Sequence, residues 1–217
     1  MMAREVEIKF LVADARALAR RLRTSGFRLV TRRTHEMNVL YDLPGQPLRQ
    51  RGEILRLRNY GGRWTFTPTS KGTALRHKSR QELETAVADG ASLDRILRSL
   101  GFSPSFRYEK FRSEWTDGRG HVVIDETPIG TVAEIEGPPR WIDRTARMLG
   151  IPQSSYITLS YGAMFEEWKR RTGSPAREMT FAAVRSTRRP MTCHPERAPA
   201  FGASRGAMPL PKPAQGR

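Results

Sequence analysis

Near the N-terminus the run REVEIKF, Arg4 to Phe10, sets Glu5, Glu7 and Lys9 against Val6, Ile8 and Phe10. The alternation has period two, so the charged set shares one face of a β-strand. Paired carboxylates suit a hard cation that takes oxygen ligands. An ammonium beside them suits phosphate oxygen. The pattern returns along the chain. ILRLRNY pairs Arg56 with Arg58, and RYEKFRSEW pairs Lys110 with Arg112. TVAEIEG pairs Glu134 with Glu136, and HVVIDE gives Asp125 the parity of His121 and Val123. RHKSRQELET puts Glu82 and Glu84 on the face of Arg76, Lys78 and Arg80. One such strand is ordinarily the wet side of a sheet. Repetition with signs sorted into like-charged pairs is different, because a solvated surface interleaves them. Like charges packed together need a counter-ion. Carboxylate pairs and Arg/Lys pairs in one cavity would suit a metal–polyphosphate complex.

The elements that must carry these residues are legible in outline. Extended segments fall near residues 4–12, 35–43, 53–60, 63–70, 76–87, 106–115, 120–126 and 130–136. TDGRG marks a hairpin before Gly120. Asp14 caps a helix with Leu18 and Leu22 on one face, ended by Gly26. A second helix follows Gly90, WIDRTARMLG is a third and SYGAMFEEWKRR a fourth. So many strands in meander order hide their edges best in a closed or nearly closed antiparallel barrel.

The net charge is +16, from 38 Lys and Arg against 22 Asp and Glu. That suits an anionic partner without choosing one. Residues 171–217 hold nine basic and two acidic residues and seven of the 15 prolines, with little apolar periodicity. They read as a basic, disordered tail that inflates the charge signal, leaving about +9 on the body (16 − 7). The tail lacks the features of a nucleic-acid arm, so nucleic acid is disfavoured as a partner. One cysteine, Cys193, excludes an internal disulfide. There is no apolar signal region and no apolar run approaching the roughly 20 residues that span a bilayer. The expectation is a cytoplasmic protein without a membrane partner.

Glu5-x-Glu7-x-Lys9, NVLYD at 38–42, LRLR at 55–58, EKFR at 109–112, DETPIG at 125–130 and EIEG at 134–137 stand in an order that resembles the CYTH superfamily. That superfamily unites class IV adenylyl cyclases, thiamine triphosphatases and inorganic triphosphatases. The likeness runs from about residue 3 to the fourth helix near Arg171. It implies an α+β fold, an eight-stranded antiparallel β-barrel forming a triphosphate tunnel, with flanking helices. Residues 1–172 would form the tunnel domain and 173–217 the tail. It implies that Glu5, Glu7, Asp125, Glu134 and Glu136 bind metal, with Mg²⁺ or Mn²⁺ as cofactor. Lys9, Arg56, Arg58, Lys110 and Arg112 would bind triphosphate, with catalysis centred on Glu5, Glu7 and Lys9. Glu82 and Glu84 would be additional tunnel acids. A homodimer is compatible with the family.

One position departs from the pattern. The family usually has a lysine in a Thr-x-Lys context in the strand after the paired arginines. Here WTFTPTSKG puts Thr69 there, after Pro68, whose missing N–H suggests an edge or bulge. Lys71 lies two residues on, on the same face of a regular strand, and is the substitute triphosphate ligand.

The implied activity is metal-dependent hydrolysis of the terminal phosphate of ATP, thiamine triphosphate or inorganic triphosphate. The alternative is a cyclase that turns ATP into cyclic AMP and pyrophosphate. Class IV cyclases often carry a His-Phe pair ahead of Glu-x-Glu-x-Lys; its absence favours hydrolysis. A further alternative is a non-catalytic polyphosphate- or nucleotide-binding module. His35, His77, His121 and His194 lack metal-ligand spacing, and Gly61-Gly62 is a turn, not a phosphate loop.

Overall fold

The computed structural model describes residues 3–70, 73–74 and 78–187, with side chains at 6–70 and 82–185. The expected ligand Lys71, the Glu5 side chain and the chain after residue 187 lie outside the described residues. The strands are β1 (Ala3–Leu11), β2 (Arg28–Asp42), β3 (Ile54–Tyr60), β4 (Arg63–Thr69), β5 (Thr73–Ala74), β6 (Lys78–Glu82), β7 (Thr85–Val87), β8 (Ser103–Thr116), β9 (His121–Thr127) and β10 (Gly130–Glu136). The helices are α1 (Ala15–Thr24), α2 (Pro47–Arg51), α3 (Gly90–Ser99), α4 (Pro139–Met148), α5 (Tyr161–Thr172) and α6 (Phe181–Thr187). Among the described residues, no helix is long and apolar enough to cross a membrane.

All ten strands form one antiparallel sheet in the order β5-β6-β1-β10-β9-β8-β2-β3-β4-β7. The eight strands from β6 to β4 curl into a tunnel. Its seam is a single pair, Thr69 with Glu82, so the sheet is not closed by a continuous ladder. Pro68 supplies the reason. Its carbonyl faces the seam and accepts from the Leu83 N–H at 3.3 Å. As proline it returns no N–H on that side.

The apolar faces of the strands turn outward, onto helices. Ile8 and Phe10 of β1, Val122 and Ile124 of β9 and Ile135 of β10 pack with Leu18 and Leu22 of α1 and Trp141 and Ile142 of α4. Val39, Tyr41 and Leu57 pack with Leu97 of α3. Tyr108 and Val132, on the inward parity of Lys110 and Glu134, pack instead with Phe165 of α5, whose first residues join the tunnel lining. Asp14 and Asp89 start α1 and α3 by accepting from backbone N–H groups in the first turn. Gly90 admits the indole of Trp64, which a Cβ would meet at 2.2 Å. The helices thus take the surface that a barrel interior ordinarily takes, and the charged faces of the strands are left to line the inside.

The ordered body runs past the expected boundary at 172/173. Met179 bridges Tyr108 of β8 and is fully buried; Ala176 and Val184 join the same cluster. This stretch covers the edge of β8 that β9, paired only from Phe111 onward, leaves open. Three small or apolar anchors among polar residues suffice to order it, and so short a pattern does not stand out in the sequence. β2 is also longer than expected. Its first half has register shifts between Leu29 and Thr34 and therefore lacks the alternation of a regular strand.

Candidate active site

β1 and β10 pair so that Glu7 stands opposite Glu136 and Lys9 opposite Glu134. Lys9 is buried and makes ion pairs with Glu7 at 2.6 Å and Glu134 at 3.0 Å. Burial works against its charge, but the two carboxylates outweigh that and hold its pKa above the usual lysine value. Glu134 also receives Arg112 at 2.6 Å, and despite burial its pKa falls well below the usual carboxylate range under the influence of Lys9 and Arg112. Glu136 differs. Among the described residues no cation forms an ion pair with it. Burial, then the charges of Glu134 and Glu7, push its pKa up to about 7. Glu5 occupies the β1 position across from Arg80.

Across the tunnel, β8 carries Lys110 and Arg112. Asp125 of β9, fully buried, accepts from Arg112 through both oxygens at 2.7 and 2.6 Å and from Lys110 at 2.9 Å. The Tyr161 hydroxyl, at the start of α5, donates to the same carboxylate at 2.5 Å. Its ring lies beneath both lysine ammonium groups, 4.6 Å from that of Lys110 and 5.7 Å from that of Lys9. Behind them sits Glu36 of β2, 1 % exposed, 3.5 Å from Lys110 and 3.7 Å from Arg112. Burial opposes its ionisation, but these two cations and the Asn38 amide bring its pKa down to about 2. On β3, Arg58 is held by Glu84 at 2.8 Å and by Thr65. Arg56 lies 3.6 Å from Glu82, its Nε buried without a partner. Glu82 and Glu84 therefore stand as counter-ions to the two arginines.

These groups surround one cavity of about 740 Å³. Its described lining includes six carboxylates (Glu7, Glu82, Glu84, Glu114, Glu134 and Glu136) and five cations (Lys9, Arg56, Arg58, Lys110 and Arg112). The CYTH domain model matches residues 3–138. The chain belongs to the CYTH family. A proposed adenylate cyclase of Methanocaldococcus jannaschii is 27% identical over 135 residues, 61% of this chain and 75% of that protein. Among solved structures, a proposed adenylate cyclase of Vibrio parahaemolyticus superposes with a TM-score of 0.67 at 20% identity, over 75% of this chain and 97% of its own. A proposed adenylyl cyclase of Hippeastrum with a dominant triphosphatase activity superposes with a TM-score of 0.57 at 17% identity, over 77% of this chain and 96% of its own.

Of the residues expected in the CYTH tunnel, Glu7, Lys9, Arg56, Arg58, Glu82, Glu84, Lys110, Arg112, Glu134 and Glu136 line this cavity. Asp125 lies beneath it, held by Lys110, Arg112 and Tyr161. Among the described residues, no three acidic or histidine side chains converge as a ready metal site. The donor chemistry still fits a hard cation: Glu7, Glu134 and Glu136 offer only oxygens, and Lys9 pairs with the first two and not with Glu136. Sequence reasoning missed Glu36, Glu114 and Tyr161; Glu114 has the parity of Lys110 and Arg112. Glu36 precedes NVLYD with the parity of Asn38, which was a usable signal. Tyr161 opens a helix, where strand alternation says nothing.

Proposed function

We propose that this CYTH protein is a divalent-metal-dependent enzyme that hydrolyses the terminal phosphate of a triphosphate. The observation that carries the reading is the company these groups keep in one cavity. Its described lining brings together five cations, which suit phosphate oxygens, and carboxylates, which call for a further cation when a polyanion lies beside them. Mg²⁺ or Mn²⁺ meets that need, with Glu7, Glu134 and Glu136 of the inner wall, and Glu5 beside them, as its carboxylates. Once bound, the ion would neutralise phosphate charge and lower the pKa of a coordinated water.

The remaining steps fall to the chain's own residues. Arg56, Arg58, Lys110 and Arg112 take the phosphate oxygens, the guanidinium groups two at a time. Lys9 reaches the same phosphates from the opposite wall. Water attacks the terminal phosphorus and the bridging P–O bond breaks, with the cations stabilising the charge that develops on the leaving oxygen. Asp125 is assigned a positioning role: it fixes Lys110 and Arg112, and Tyr161 fixes Asp125. Glu82 and Glu84 hold Arg56 and Arg58 until phosphate arrives.

A class IV adenylyl cyclase is the second reading, favoured by the names of the M. jannaschii and V. parahaemolyticus relatives. The deciding experiment incubates purified protein with Mg²⁺ or Mn²⁺ and, separately, ATP, thiamine triphosphate and inorganic triphosphate. Chromatography resolves the products, with Glu134→Gln as control. Free phosphate that disappears in the variant is the expected result. Cyclic AMP with pyrophosphate would establish the cyclase. Binding without any product would leave a triphosphate-binding module.

A further inference from the structure

We infer that Glu36 is a permanent counter-ion, built in beneath Lys110 and Arg112 to weaken their hold on phosphate, and so sets the affinity of the tunnel for its ligand. The inference rests on the tunnel being a triphosphate site. Two kinds of carboxylate stand beside its cations. Glu82 and Glu84, the partners of Arg56 and Arg58, have side chains 22 % and 40 % exposed. They can turn into water when a phosphate takes their place. Glu36 has no such exit. It is enclosed behind the cavity lining, so a ligand that reaches Lys110 and Arg112 meets its charge as well.

Glu36 also differs from Asp125. Asp125 is hydrogen-bonded to both cations at 2.6–2.9 Å and fixes where they point. Glu36 stands 3.5 Å from Lys110 and 3.7 Å from Arg112, too far for the well-formed hydrogen bonds that would direct them. Its own orientation comes from a neutral group, the fully buried Asn38 amide, which donates to Oε1 at 2.9 Å. Arg58 is a third cation whose charge it feels. Glu36 therefore supplies charge rather than geometry. In so enclosed a place that charge is little screened. It subtracts from the attraction of these cations for substrate, transition state and product alike. Attraction shared by all three lowers KM without raising kcat, and a product held by five cations leaves slowly. A fixed carboxylate beneath the cations moderates that hold and leaves their positions to Asp125.

The test is the calorimetric Kd of imidotriphosphate, whose P–N–P bridges resist hydrolysis, with Mg²⁺ present, for the wild type, Glu36→Gln and Glu36→Asp. Glu36→Gln keeps the size and the acceptor for Asn38 and removes the charge. Its Kd is expected to fall about tenfold or more, and KM for the triphosphate turned over should fall with it while kcat does not rise. Glu36→Asp keeps the charge and should stay within about threefold of the wild type. Loss of a merely structural contact would weaken binding instead. An unchanged or higher Kd in Glu36→Gln, or an equal fall in Glu36→Asp, overturns the inference. If Glu36→Gln does not fold unaided, it is refolded with imidotriphosphate and the release of that ligand on dilution is timed against the wild type. Slower release supports the inference; equal or faster release, or failure to refold, overturns it. A wild type that binds the analogue but turns over no triphosphate defeats the hydrolase reading alone, and the Kd values still decide the role of Glu36. A wild type that does not bind it defeats both.

Discussion

On the β1–β10 wall Glu7, Glu134 and Glu136 stand around Lys9, which pairs with the first two, and on the β8–β9 wall two cations are enclosed by Asp125, Glu36 and the Tyr161 hydroxyl. The residue types are the same and their consequences are opposite. On the β8–β9 wall Lys110 and Arg112 lie within hydrogen-bond distance of Asp125 and, despite burial, hold Glu36 in its charged form. Where Glu7 faces Glu136, burial and the charges of Glu134 and Glu7 drive the Glu136 carboxyl up to about 7. The first arrangement is a rigid anchor. The second crowds like charges around Glu136, which suits the metal that the proposed function requires. On the proposed function, the first wall would fix the polyanion and the second would take the metal, with the Arg112–Glu134 pair joining them.

The sharpest way to break this contrast is Arg112→Ala. It strips Asp125 of its bidentate partner and Glu134 of one of its two cations, leaving buried carboxylates under-compensated. A loss of about 3–5 kcal/mol in unfolding free energy is expected by urea titration. Triphosphate turnover should drop by at least about a hundredfold. Retention of both stability and turnover would mean that the β8 cations are not the anchor.

A milder intervention addresses the other wall. Glu7→Gln keeps the shape of β1 but removes one of the carboxylates around Lys9. The metal concentration that half-saturates turnover should rise by at least about tenfold, roughly 1.4 kcal/mol. An unchanged metal titration would assign the metal to other groups.

The contrast also explains which parts of the molecule were legible in the sequence. Alternation in β1, β3, β8 and β10 is strict, because one face packs on helices and the other lines the tunnel, so their cavity-facing residues could be listed from parity alone. The same logic failed wherever geometry came from elsewhere. Tyr161 reaches Asp125 from a helix start; Glu36 carried a usable parity signal with Asn38, on a strand whose first half is masked by register shifts between Leu29 and Thr34. Parity put Glu82 and Glu84 on one face, and both line the cavity, but it could not say that their partners would be Arg56 and Arg58, since cross-strand pairing is settled only when the sheet curls. The segment around Met179 was hidden because its order comes from the exposed edge of β8 rather than from any pattern of its own.

A third prediction follows from Glu136 and depends on pH. Its folded pKa of about 7 lies above the ordinary 4.5. A carboxyl raised in this way favours the folded state while protonated and penalises it once ionised. The penalty is therefore full above pH 7 and disappears as pH falls from about 7 toward 4.5. In chelator-treated protein, Glu136→Gln should stabilise the fold by about 1–2 kcal/mol at pH 8, a figure reduced for residual solvent screening. At pH 4.5 it should have almost no effect. Mg²⁺ or Mn²⁺ should reverse the sign at pH 8 by stabilising the carboxylate that the variant lacks. Equal stabilisation at both pH values would show that ionisation is not the cause.

The smallest effect is expected where the same chemistry lies outside the tunnel. Arg33 pairs with Glu126 at 2.8 Å and covers the Phe111 ring at 3.6 Å, but the two charged side chains are 51 % and 41 % exposed. By distance alone this pair equals those of Arg112. Water solvates both partners, however, and neither would be stranded by loss of the other. Arg33→Ala should therefore cost only about 0.5–1 kcal/mol, part of it from the lost ring contact, and that cost should shrink in high salt. Turnover and metal half-saturation should stay at wild-type values. If Arg33→Ala were as damaging as Arg112→Ala, enclosure would not be what separates the tunnel's ion pairs from those on the surface, and the division into an anchoring wall and a metal-recruiting wall would lose its physical basis.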